Sequence, residues 1–144
     1  MSATLYDRDF YAWAMEQAAL LRAGRLDAAD IHHIAEEIES MGRSEKRELV
    51  SRLTVLLLHL LKWQYQPALR GNSWRLSIAN ARDQLADHLA DNPSLKARLD
   101  EAVTAAYRYA RRSASVETGL PESTFPAECP WPFTAIMDEA HFPE

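Results

Sequence analysis

The sequence predicts an all-α fold, a bundle of four to five helices around a central buried helix at about residues 43–66, with a proline-rich, acidic carboxy-terminal tail packed on it. Three observations carry this. Leu53, Val55, Leu56, Leu57, Leu58, Leu60 and Leu61 crowd into one short stretch between Arg52 and Lys62, far below the roughly 20 residues of a membrane span. The segments around it carry single apolar stripes at helical spacing, each needing a surface to cover. No stretch alternates in the manner of a strand, and no internal repeat or glycine-rich phosphate loop is present.

Taken in order, Phe10, Trp13, Ala14, Leu20 and Leu21 recur at helical spacing between Tyr6 and Ala23, with Gln17 as a polar exception and Gly24 as a left-handed stop. Asp7 or Asp9 suits the amino end of that helix, because a carboxylate there accepts unpaired backbone donors. Asp27 or Asp30 can open a second helix whose inward stripe is Ile31, Ile34, Ala35, Ile38 and Met41. Gly42 follows, and the pattern resumes through Leu49, Leu53, Leu56, Leu60 and Trp63 to the stop at Pro67. The spacing leaves open whether this is one kinked rod or two helices.

Ser73 is a natural cap for a helix with Trp74, Ile78, Ala81, Leu85 and Leu89 on one face. Asn92-Pro93 ends it and starts another, through Leu95, Leu99, Ala102, Ala106 and Tyr109 to about Val116. Beyond Gly119, five prolines forbid a long helix. Leu120, Phe125, Trp131, Phe133, Ile136, Met137 and Phe142 are too apolar for a free tail, so residues 119–144 are expected to dock on the 1–118 bundle as one domain, with a short helix near Phe133 to Asp138.

Net charge is −5, unevenly spread: residues 1–112 hold all 16 bases against 15 acids, and the remaining six acids follow Arg112. Bases near Arg108, Arg111 and Arg112 are therefore expected to meet tail acids such as Glu122 and Glu128. Phosphate binding draws its affinity from several uncompensated bases, which this balance lacks, so nucleic acid is not an expected partner. A membrane is not expected either. The single Cys129 and the lack of a secretory leader point to the cytoplasm.

Four strings, YDRDFYAW at Tyr6–Trp13, EEIESMGRSE at Glu36–Glu45, RLTVLLLHLLKWQYQP at Arg52–Pro67 and ETGLPESTFPAECP at Glu117–Pro130, together resemble a bacterial family known as domain of unknown function twenty-nine. The resemblance spans nearly the whole chain and implies a helical domain with no assigned activity. Its polar motif residues fall here on Asp7, Asp9, Glu36, Glu37, Glu39, His59, Lys62 and Arg82.

Among these, His59 and Lys62 could form a cleft with Glu36 or Glu37 and Arg82, binding an anion or moving protons. The plainer reading puts His59 on the polar stripe through Arg52, Val55 and Lys62, at the bundle's edge. His32 and His33 stand one turn from Glu36 and Glu37, the spacing of a shared metal, but two ligands do not make a site, and no cofactor is expected. Cys129 has no activating base at a recognisable offset. Trp131, between prolines, either pins the tail or contacts a partner. The expectation is a non-catalytic interaction module, monomer or homodimer, with a small enzyme or anion-binding protein around His59 and Lys62 as the alternative.

Overall fold

A computed structural model describes residues 4–144. Its described residues are helical, in the order α1 (Leu5–Arg8), α2 (Phe10–Arg22), α3 (Ile31–Tyr65), α4 (Asn72–Asp91), α5 (Leu99–Thr118) and α6 (Phe133–Met137), without strands. Short 3-10 turns at Pro67–Leu69, Pro93–Arg98 and Glu122–Thr124 mark the connections. The chain divides into two compact units, Met1–Ser44 and Glu45–Glu144.

In the first unit the expected opening helix is two. Asp9 interrupts it, and its carboxylate accepts the backbone N–H of Ala12 at 3.0 Å to cap α2. Gly24, with φ of 73°, ends that helix in the left-handed conformation open to glycine. Asp30 then precedes α3, accepting the N–H of His33. Trp13 and Gln17 are the buried side chains of this unit among the described residues.

The second unit holds the predicted core. Leu49, Leu53, Leu56, Leu57, Leu60 and Leu61 of α3 are wholly buried, with Ile78 and Leu85 of α4 and Ala106, Ala110 and Ala114 of α5 against them. Small side chains on α5 let that helix approach the leucines closely. Its stripe shifts at one end, for Tyr107 is buried while Tyr109 is exposed. Tyr107 turns inward because its hydroxyl has a partner there, donating to the carbonyl of Pro126 at 2.6 Å.

One continuous helix spans residues 31–65, so Gly42 lies in its interior. A Cβ at Gly42 would meet nothing within 4 Å. Glycine in a helix interior costs about 0.5–1 kcal/mol against alanine. Gly42→Ala is therefore expected to raise stability by about that amount in denaturant unfolding.

The carboxy-terminal segment docks as expected, by different contacts. Phe125 and Ile136 are fully buried in the core, and Trp131, Phe133 and Phe142 pack against it. Glu122 and Glu128 are exposed and form no ion pair among the described residues. Of the α5 arginines, Arg111 holds a backbone carbonyl in place of a carboxylate, and Arg70 and Arg82 do the same elsewhere. Arg111 donates to the Phe125 carbonyl at 3.2 and 3.3 Å, and Arg70 donates to the Pro143 carbonyl at 3.3 Å. Arg82, 3% exposed, donates to the carbonyls of Ile136 at 2.8 Å and His141 at 2.7 Å.

A carbonyl inside a folded chain cannot turn back to water, so a guanidinium that reaches two of them fixes the segment firmly. Arg82→Met keeps the stem and removes the donors. It should cost about 1–3 kcal/mol, the range for leaving buried acceptors unpaired, read as a lower denaturant midpoint; an unchanged midpoint would mean the segment is held by its aromatic side chains alone.

Candidate functional site

The first unit contains a connected group of polar and aromatic side chains. Asp30 is its hub: one carboxylate oxygen accepts the Trp13 indole N–H at 3.0 Å and lies 2.7 Å from Nδ1 of His33. Its own backbone N–H donates to Gln17 at 2.6 Å, which accounts for the burial of that glutamine. The Tyr6 ring stacks on His33 with centroids 4.0 Å apart and meets Trp13 edge-on at 4.7 Å. The Tyr6 hydroxyl donates to Glu37.

The electrostatics follow from these contacts. The hydrogen bond that His33 donates to Asp30 raises the His33 pKa, and the same bond holds the Asp30 carboxyl below its ordinary value. The bond to Glu37 pushes the Tyr6 hydroxyl up to about 12. The Asp30–His33 bond favours the charged form of both partners and the Glu37 bond keeps the Tyr6 hydroxyl protonated, so these contacts fix the geometry of the group.

Sequence reasoning took Asp30 only as a helix start and did not mark Tyr6. The available signal was Asp30 three residues before His33: a capping carboxylate has a second oxygen, and the side chain one turn on lies within its reach.

The residues proposed for metal and for acid–base chemistry are distributed differently. His32 pairs with Glu36 at 3.2 Å on open surface, while His33 turns to Asp30 and Glu37 to Tyr6. Among the described residues no three histidine, cysteine, aspartate or glutamate side chains converge as metal ligands. Glu36 and Glu37 belong to the first unit. In the second unit, His59 Nδ1 lies 2.8 Å from the Val55 carbonyl of its own helix, and Lys62 lies 3.4 Å from Glu117 with its ammonium 5.1 Å from the Trp74 ring centroid. Arg82 is occupied by the carboxy-terminal carbonyls.

A groove of about 980 Å³ opens in the second unit between α5 and the carboxy-terminal segment, lined by Tyr107, Arg108, Arg111, Glu122, Cys129 and Trp131 among others. Burial raises the pKa of the Cys129 thiol, which keeps it protonated and a poor nucleophile. Trp131 is partly buried against the core, its ring 6.3 Å from that of His141.

The surface of the first unit is unlike that of the second. Among the described residues, eight of the thirteen exposed large apolar side chains belong to the first unit: Phe10, Tyr11, Met15, Leu21, Leu26, Ile31, Ile38 and Met41. Ile31, Ile38 and Met41 were expected to point inward. They are 52%, 63% and 67% exposed, because the stripe predicted from spacing alone is not the face that α1 and α2 cover: those helices pack on the side bearing His33 and Glu37.

The family model for domain of unknown function DUF29 matches residues 5–142. The chain belongs to this family. No curated protein and no solved structure matches it. The family carries no assigned chemistry, so a reading of this DUF29 domain rests on its own side chains. No helix among its described residues is long and apolar enough to cross a membrane.

The Asp30–His33 contact makes the first unit of the DUF29 chain sensitive to pH. Because the His33 pKa is raised, its contribution is complete below the ordinary histidine value and is lost as pH rises through the raised one. Because the Asp30 pKa is lowered, its contribution is present above the ordinary carboxylate value and is lost as pH falls through the lowered one. The unit should be most stable between about pH 4 and about pH 6.5. In an NMR titration, Asp30→Asn should return the His33 pKa toward its ordinary value while keeping the cap; an unmoved His33 titration would show that the carboxylate does not hold the ring.

Proposed function

We propose that this chain is a non-catalytic interaction module of the bacterial cytoplasm, and that its first unit presents the surface a protein partner takes. The observation that carries the reading is the concentration of exposed apolar side chains in residues 1–44. Single exposed hydrophobes are ordinary, but a cluster of them marks an interaction surface. The chemistry supports the same reading, because the titratable groups beside that surface are engaged with one another. The free thiol Cys129 suits a reducing compartment.

A photo-crosslinking residue placed at Met41, and separately at the comparably exposed Leu76 of the second unit, tests this in living cells. The expected result is a discrete protein adduct from position 41 and none from position 76. Equal labelling from both, or none from position 41, would contradict it.

A further inference from the structure

The exposed face of α3 has a spacing that identifies what it accommodates. Ile31, Ala35, Ile38 and Gly42 follow at steps of four, three and four, which places them within an arc of about 60° on the helix. All four are exposed. Ile31 and Ile38, and likewise Ala35 and Gly42, are one heptad apart, the repeat by which one helix keeps a continuous seam against another. Large and small side chains alternate along it, so a partner's side chains have somewhere to enter.

Gly42 supplies a second observation. Its φ is not positive, and a Cβ there would meet nothing within 4 Å. Neither backbone conformation nor a neighbour in the chain calls for glycine, whereas a close approach from outside does.

Charge selects the occupant. Residues 1–44 contain eight acids and four arginines, a net charge of −4 where the whole chain carries −5. Glu39 borders the seam, bound to Arg43 only through an exposed pair at 3.5 Å. A second copy would bring two such acidic surfaces together, which opposes self-pairing.

Building on the interaction reading, we propose that the seam Ile31–Ala35–Ile38–Gly42 receives an amphipathic helix of another protein, apolar on one face and flanked by lysine or arginine. Two synthetic helix-forming peptides test it on the full chain by fluorescence anisotropy at low salt: leucine at the heptad core positions of both, with lysine at the flanks of one and glutamate at the flanks of the other.

The lysine peptide should bind at least about tenfold more tightly than the glutamate peptide, and its affinity should fall with added salt. Gly42→Leu should weaken that binding by about tenfold or more while leaving the thermal unfolding midpoint unchanged or higher, since leucine favours helix over glycine. Ile38→Glu should weaken it as well. Equal binding of both peptides, binding unaffected by Gly42→Leu, or no binding of either peptide at micromolar concentration would overturn the proposal. So would a dimer in sedimentation that Ile38→Glu dissolves, which would make the occupant a second copy. If both peptides fail while crosslinking from Met41 still yields a discrete adduct, the helical ligand is wrong and the interaction surface stands.

Discussion

The second unit depends on one constraint, that six leucines of α3 must leave water together. Leu49, Leu53, Leu56, Leu57, Leu60 and Leu61 are distributed around too much of the helix for a single neighbour to cover. Each contributes about 1.5–3 kcal/mol when buried, and the sum is available only if several elements surround the helix. That requirement explains why α5 has alanines on its inner face and why Phe125 and Ile136 are drawn into the core from a segment that cannot form a long helix. It also explains the buried Arg82: a proline-interrupted segment in the core leaves carbonyls unpaired, and a guanidinium supplies the missing donors.

The same helix has a different character nearer its start. From Ile31 to Ser44, α1 and α2 pack on the side of His33 and Glu37, and Ile31 and Ile38 on another face meet solvent. The polar group around Asp30 organises this part. A carboxylate that caps a helix, binds an indole and orients an imidazole specifies one arrangement of three elements where few apolar side chains are buried to do so.

Much of this was legible in the residues. The leucine run identified the central helix, Pro67 its end, and the aromatic side chains past Gly119 the docking of the carboxy-terminal segment. What was misread has a common cause. Spacing shows that Ile31, Ile38 and Met41 share a face but not whether anything covers it, because that depends on contacts distant in sequence. The pairing of Glu122 and Glu128 with the α5 arginines failed for a related reason: charge asymmetry shows which groups could attract, while the Phe125 carbonyl that takes Arg111 is invisible in composition. At the site, His33 was visible as a metal candidate, and its true neighbour Asp30 was visible only as a cap. His59, Lys62 and Arg82 were legible as polar positions, but their partners Val55, Glu117 and Ile136 come from the fold.

On this account α3 is one helix with two roles, core from Leu49 onward and presented surface before Ser44. Native-state hydrogen exchange measured residue by residue tests that most directly, because exchange reports the free energy of opening at each amide. Amides of residues 49–61 should exchange only through global unfolding, while those of residues 34–44 should exchange through a smaller, local opening. Equal protection along the whole of α3 would contradict the division.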